Sequence, residues 1–224
     1  MKATEVAHKT ARILESLPPG VLLVAAAKTR KIEEVEAAIE GGVTAVGHNY
    51  VQEAEKMIAK VGRRVRWHLI GHLQRNKAKK AVALFDMIET LDSWRLALAL
   101  EGHAANMGKI MSVLVEVNSG KEDSKTGILP EEVDDFVRQL SELSSIRVQG
   151  LMTMGPRFGN PEDARPYFRE TKAAFDRLKE AGIPNVEMQW LSMGMSNTYR
   201  IAIEESANIV RIGSKLFGSK DEDA

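Results

Sequence analysis

The sequence predicts a (β/α)8 barrel, an α/β fold in which eight parallel strands close into a ring surrounded by helices. Two observations favour this fold. Short apolar runs alternate with amphipathic helical stretches along the chain, and its 224 residues hold eight such pairs without a low-complexity linker. The first run, 21–27, is apolar throughout, which is typical of a parallel strand buried on both faces. A doubly wound open sheet is the alternative.

The predicted elements follow in chain order. A first helix over about 2–17 ends at Pro18-Pro19-Gly20. The strands are expected at 21–27, 43–46, 65–70, 85–89, 109–117, 146–151, 186–191 and 208–212. The helices between them are expected at 32–39, 51–60, 77–84, 93–105, 130–143 and 164–178, with one more before the last strand and one after it. The helix over 130–143 carries a proline in its first turn. Nothing is left to build a second domain, so one domain over 1–224 is expected.

The composition limits the classes of ligand. The 31 lysines and arginines balance 31 aspartates and glutamates, whereas a nucleic-acid-binding protein generally carries a positive surplus. Without cysteine the chain has no disulfide, thiolate metal site or cysteine nucleophile. No apolar run approaches the roughly 20 residues that cross a bilayer, and the amphipathic start differs from a signal peptide. We therefore expect a cytoplasmic protein with a small ligand and without nucleic-acid or membrane partners. Its charged helix faces suggest a monomer.

Ligands of such barrels bind where the carboxyl ends of the strands meet, so the polar residues that follow each apolar run are the candidates. Lys28 follows the first run, where partial desolvation would favour the neutral amine, a nucleophile that can form a Schiff base. A lysine that extends into solvent is the alternative. Asn49 follows the second run. The nearby His48, His68 and His72 lack metal-binding spacing, so we expect them to pack in the core or at the rim.

The loops after the last two strands are rich in small residues and hydroxyl groups. They run over 192–196 and 211–214 and include Ser196, Gly213 and Ser214. Backbone N–H groups and hydroxyls bind anions, and barrels commonly hold a phosphate in these two loops. A lysine on the first strand and a phosphate site on the last two suggest pyridoxal 5′-phosphate, because this cofactor needs an amine at one end and an anion site at the other.

Arg211 ends the last strand and would lie between these two sites. A guanidinium can only donate hydrogen bonds, so it would keep the pyridine nitrogen of the cofactor unprotonated. The ring would then withdraw electrons less strongly than a ring paired with a carboxylate. An arginine held in a salt bridge at the strand end is the alternative.

Six strings, in this order and spacing, resemble the pyridoxal phosphate homeostasis protein family, the YggS/PROSC-type proteins. They are AAAKT (25–29), NYVQE (49–53), WHLIGHLQRNK (67–77), GLMTM (150–154), LSMGMS (191–196) and RIGSKLFG (211–218). The resemblance covers nearly the whole chain. It implies a barrel like the N-terminal domain of alanine racemase, with the cofactor held as an internal aldimine on Lys28.

The resemblance also implies roles for the other candidates. Ser196, Gly213 and Ser214 match the phosphate-binding positions of the family. Arg211 matches the arginine that faces the pyridine nitrogen, and Asn49 matches a residue beside the cofactor ring.

Two positions depart from the family pattern and concern the rim of the site. His48 stands where the family commonly has glutamate, and Asn197 begins a stretch that is less acidic than usual.

The function implied by the resemblance is vitamin B6 homeostasis. The protein would buffer the cofactor or deliver it to apo-enzymes, without an established catalytic turnover. An amino-acid racemase is the first alternative, but racemisation needs an acid/base group on each face of the substrate. Alanine racemase takes a tyrosine from a second domain of its partner subunit, whereas this chain offers only Tyr50, Tyr167 and Tyr199. A cofactor-free aldolase that uses Lys28 is the second alternative, and no acidic residue follows a neighbouring strand to act as its base.

Overall fold

The structure is a computed structural model that describes residues 3–122, 125–156 and 159–218. Within these residues, eight strands pair in parallel, each with the next along the chain, and the first pairs with the last to close the barrel. The closed ring confirms the (β/α)8 fold and excludes the open sheet. The strands are β1 Leu22–Ala26, β2 Ala45–His48, β3 Arg66–Leu69, β4 Met87–Leu91, β5 Met111–Val117, β6 Ile146–Thr153, β7 Val186–Ser192 and β8 Ile209–Ile212.

Helices cover the outside of the barrel. They are α1 Ala3–Ser16, α2 Ile32–Glu40, α3 Val51–Val61, α4 Ala78–Leu84, α5 Trp94–Asn106, α6 Val133–Leu140, α7 Arg165–Ala181, α8 Tyr199–Glu204 and α9 Ser214–Phe217, with 3-10 turns at Arg75–Lys77 and Pro161–Ala164. In α7, Phe168, Thr171, Phe175 and Leu178 recur at helical spacing and are buried against the strands. No helix in the described part of the chain is long and apolar enough to span a membrane.

Alternate residues of each strand point into the barrel or out toward the helices. Inside the ring, Val24, Leu114 and Met152 belong to one buried apolar cluster. A methyl group on Gly47 would lie 2.8 Å from the side chains of both Val24 and Ile70, so this interior position has room only for glycine. The larger apolar core lies outside the ring, between the strands and the helices.

Several predicted boundaries differ from the observed ones by two or three residues, among them the starts of β2, β4 and α6. β2 and β4 each begin later than expected, because the residues before them still belong to turns. The Val43 N–H donates to the Ala38 carbonyl after α2, and the Phe85 N–H donates to the Ala81 carbonyl at the end of α4. Pro130 lies in a hydrogen-bonded turn before α6 rather than in its first helical turn. The later end of β2 places His48 within the strand, whereas Glu89 lies within both the predicted strand and the observed β4.

Candidate cofactor-binding site

One cleft at the carboxyl ends of the strands brings together all six residues that the sequence singled out. Its volume of about 550 Å³ lies within the range of about 300–1,000 Å³ that small-molecule sites occupy. The residues come from the ends of β2, β1, β8 and β7, which are consecutive neighbours in the ring. They are Lys28, Asn49, Ser196, Arg211, Gly213 and Ser214.

Lys28 lies just beyond the end of β1 and is exposed. The desolvation expected from the sequence is therefore wrong. Because β1 ends at Ala26, the lysine leaves the barrel at its rim rather than within its interior. Its Nζ lies 5.7 Å from the centre of the Tyr50 ring, a cation–π distance. The amine borders the cleft and is open to an incoming ligand.

The loop that follows the lysine is held by contacts that the sequence did not reveal. Thr29 has a φ of +57°, a left-handed conformation that is rare for a β-branched residue. Its N–H donates to Glu53 Oε2 over 3.1 Å. Arg30 donates to the carbonyls of Phe217 and Gly218, the first over 3.1 Å. The β1 loop is thus attached both to α3 and to the end of α9.

Ser196 joins the two loops that were expected to hold a phosphate. The N–H groups of Gly213 and Lys215 donate to its Oγ over 3.3 and 3.4 Å. Gly194 has a φ of +86°, and a methyl group there would lie 2.6 Å from the Ala202 Cβ. The β7 loop can therefore turn back onto the β8 loop. Together they present backbone N–H groups and a hydroxyl at one point of the cleft, which is the donor chemistry that binds phosphate.

Arg211 borders the cleft although only 4% of the residue is exposed. Its Nη1 donates to Ser192 Oγ, and its Nη2 donates to the Thr153 carbonyl over 2.9 Å. Nη1 also lies 3.8 Å from Glu89 Oε2. Arg211 is therefore ion-paired at the strand end, as the alternative interpretation expected, and it also lines the cleft.

Glu89 is a buried charge that the sequence analysis missed. It lies in β4 with no exposed surface, and its two oxygens contact His68 Nδ1 at 2.7 Å and Ser192 Oγ at 2.6 Å. Burial raises the pKa of Glu89, but the contacts with His68, Arg211 and Ser192 outweigh it and hold the pKa below its ordinary value. The available signal was an acidic residue beside an apolar run. It indicates a partnered buried charge only once the strand is known to continue past it.

His48 lies outside the cleft, at the end of β2. It is 1% exposed and its ring stacks on Trp67 with the ring centres 5.9 Å apart. Neither ring nitrogen has a hydrogen-bond partner among the described residues. Burial lowers the pKa of His48 to about 4, although Glu53 nearby opposes the shift. Within the same part of the chain, no group of three or more histidine or acidic side chains is placed to hold a metal ion.

Two comparisons identify the family. The profile of the family described as "Alanine racemase, N-terminal domain" matches residues 2–221. A pyridoxal phosphate homeostasis protein of Aquifex aeolicus is 40% identical over 199 residues, which cover 88% of this chain and 86% of the relative. The chain belongs to the pyridoxal phosphate homeostasis protein family. The resemblance carried by the six strings is thereby confirmed.

Solved structures of this family and of alanine racemase share the barrel. PipY of Synechococcus elongatus, solved with PLP bound, is 32% identical and has a TM-score of 0.87, covering 95% of this chain and all of PipY. Alanine racemase of Clostridium difficile has a TM-score of 0.81 at 17% identity, covering 97% of this chain and 58% of the racemase. At that identity the second likeness shows the fold alone.

Proposed function

We propose that this chain binds pyridoxal 5′-phosphate in the cleft and takes part in vitamin B6 homeostasis. The observation that carries the proposal is an accessible lysine amine and a set of phosphate-type donors on one cleft. The Aquifex relative is named a pyridoxal phosphate homeostasis protein, and PipY was solved with PLP bound. Pyridoxal 5′-phosphate is therefore the cofactor.

The residues at the two ends of the cleft fit this group. When bound, the cofactor supplies an aldehyde that can join covalently to an amine. Lys28 supplies that amine from an exposed position at the rim. The Ser196 hydroxyl, with donors from Gly213 and Ser214, would hold the phosphate, because the β7 and β8 loops already converge at this point.

The residues between these ends position the ring. Arg211 would face the ring nitrogen with a guanidinium whose two terminal nitrogens are already held by Ser192 and Thr153. Asn49 is half-buried beside the cleft and would lie beside the ring. A methyl group on Gly71 would lie 2.6 Å from the Asn49 carbonyl, so this glycine lets the asparagine backbone approach.

The chain acts in this proposal as a cofactor-binding protein without turnover of its own. Racemisation requires an acid/base group on each face of the substrate. Among the described residues that line the cleft, Lys28 is the only lysine, and no histidine, tyrosine or carboxylate lines it. The described part of the lining therefore offers no second proton-transfer group. Catalytic inversion of an amino acid by the purified protein would contradict this part of the proposal.

The proposed setting is one cofactor-binding domain over 1–224, present in the cytoplasm as a monomer that buffers the cofactor or passes it to apo-enzymes. The exposed rim position of Lys28 supports exchange of the cofactor, because a cofactor joined to this lysine would stay accessible to solvent. Transfer from the loaded protein to an apo-enzyme, with a free-cofactor trap present, separates buffering from direct delivery. Light scattering of the eluted protein tests the monomer.

Lys28→Ala tests the assignment of the amine. The wild type with added pyridoxal 5′-phosphate should show visible absorbance that borohydride abolishes, and the variant should lose at least about 90% of it, because one amine forms the covalent bond. Lys56→Ala is the matched control, since Lys56 is also exposed but lies outside the cleft lining. Unchanged absorbance in the Lys28 variant, or equal loss in both variants, would show that another amine binds the cofactor.

A further inference from the structure

A line of polar side chains crosses the interior of the barrel. Barrel interiors are usually filled by branched apolar residues, and burying a charge is costly unless it is paired and hydrogen-bonded. Here His68, Glu89, Ser192 and Arg211 are exposed by only 1%, 0%, 0% and 4%. They come from β3, β4, β7 and β8. Apolar packing does not explain why these four polar side chains are buried in the barrel interior.

The direction of its hydrogen bonds is fixed at each step. Ser192 has one hydroxyl proton and donates it to Glu89 Oε2 over 2.6 Å. Its oxygen is then free to accept from Arg211 Nη1. On the other side, Nδ1 of His68 is the donor to Glu89 Oε1 over 2.7 Å, because the carboxylate can only accept. Glu89 therefore accepts from both His68 and Ser192, and Ser192 in turn accepts from Arg211.

The two ends of the line lie at opposite ends of the barrel. Arg211 borders the cofactor cleft. His68 borders a separate cavity of about 380 Å³ together with Arg66 and Ser112, which lie near the starts of their strands. Glu89 thus lies beneath the cleft without lining it, and it can act on a bound group only through Arg211.

We propose that Glu89 is the positioning residue for Arg211, acting through Ser192. This inference rests on the proposed function, since it concerns how Arg211 meets the cofactor ring. A guanidinium is planar, so the bonds from Nη1 to Ser192 and from Nη2 to Thr153 fix both its place and its plane. The carboxylate supplies the negative charge that keeps this arginine stable in a buried position.

Glu89→Gln changes the hydrogen bonds that this side chain can accept without changing its size. An amide has one accepting oxygen, so it cannot accept from both His68 and Ser192. If its NH2 group faces Ser192, the hydroxyl can no longer donate there; if the NH2 group faces His68, the Ser192 bond remains but the negative charge beside Arg211 is lost. The matched control is Glu116→Gln, because Glu116 is also a buried barrel carboxyl whose charge acts on Arg211, but it bonds to Thr126 and not to Ser192 or Arg211. Burial raises the pKa of Glu116, so the change to an amide costs Arg211 less charge there than at Glu89.

The experiment titrates the full chain with pyridoxal 5′-phosphate and follows borohydride-sensitive absorbance, its wavelength and its pH midpoint. In Glu89→Gln we expect the dissociation constant to rise about tenfold or more and the pH midpoint to move, because a charge-assisted hydrogen bond is lost. Glu116→Gln should stay within about twofold of the wild type in affinity, because the bonds of Arg211 remain intact. A wild-type spectrum and affinity in Glu89→Gln would overturn the inference.

Ser192→Ala keeps the test decisive if Glu89→Gln does not fold. It removes only the bridging hydroxyl and should shift the same spectrum and pH midpoint in the same direction by a smaller amount. A Ser192→Ala protein identical to wild type would overturn the inference. If the wild type itself forms no borohydride-sensitive absorbance, the proposed function has failed, whereas a normal wild type with unaffected variants shows that only the role of Glu89 is wrong.

Discussion

His48 and His68 lie on neighbouring strands and are equally buried, yet their surroundings are opposite. Both are 1% exposed. His68 lies on the barrel interior side and its Nδ1 meets Glu89 at 2.7 Å. His48 lies on the helix side, stacked on Trp67, and neither of its ring nitrogens has a partner among the described residues. Burial alone therefore does not decide what a buried histidine does.

The difference shows how a hydrogen-bond partner changes the contribution of a buried histidine to stability. His68 satisfies a buried carboxylate, so its removal leaves a charge without its main partner. His48 has no hydrogen-bond partner among the described residues, and its burial lowers its pKa by disfavouring the protonated ring. We therefore expect the first residue to contribute stability through a pair and the second to make stability depend on pH.

The largest expected effect is that of His68→Leu. Removing one partner of a buried charge costs about 3–5 kcal/mol, and Ser192 and Arg211 both lie at Oε2 of Glu89, so they do not replace the His68 bond at Oε1. The free energy of unfolding from urea titrations at neutral pH should fall by about this amount. His48→Leu is the matched control and should change it by less than about 1 kcal/mol, because no partner is left behind. Equal losses in the two variants would show that both histidines act only through packing.

The next effect is the pH dependence caused by His48. Its pKa is about 4 in the folded chain and about 6.5 when exposed. Between these values the unfolded chain binds a proton that the folded chain does not, so stability is full above pH 6.5 and falls as the pH is lowered. At pH 5 the wild type should have lost about 2 kcal/mol relative to its value at neutral pH from this residue.

The comparison between wild type and His48→Leu isolates this contribution, because other titrating groups are present in both. Urea titrations at neutral pH and at pH 5 should show the variant losing about 2 kcal/mol less than the wild type. Parallel curves for the two proteins would mean that the folded chain hydrates or partners His48.

The smallest effect is expected on the surface. Lys80 Nζ contacts both oxygens of Glu55 at 2.8 and 2.9 Å, but the two side chains are 56% and 46% exposed. Solvent screens such a pair, so Lys80→Gln should lower the free energy of unfolding by no more than about 0.5 kcal/mol, and less at high salt. A loss as large as that of His68→Leu would contradict the expectation that buried pairs contribute more to stability than exposed ion pairs do.

Local sequence patterns were enough to predict the barrel and the six residues that line the cleft. The order of strands and helices follows from local periodicity, which depends only on neighbouring residues. A closed parallel ring then brings the carboxyl ends of the strands to one rim. Residues that directly follow the apolar runs, such as Lys28 and Ser196, could therefore be assigned to one cleft before any contact was known.

Only the tertiary structure decided which charges are paired and which side chains reach solvent. Glu89 and Ser192 are 103 residues apart in the chain, and their contact exists because the closed ring points both into its interior. The predicted strand 43–46 stopped before His48, which the structure places at the end of β2. Glu89 lay within the predicted strand 85–89, but which face it occupies and which groups meet it there depend on strands distant in sequence. Lys28 was expected to be partly desolvated and is exposed. The apolar run extends to Ala27, but β1 already ends at Ala26, so the lysine lies at the rim of the barrel.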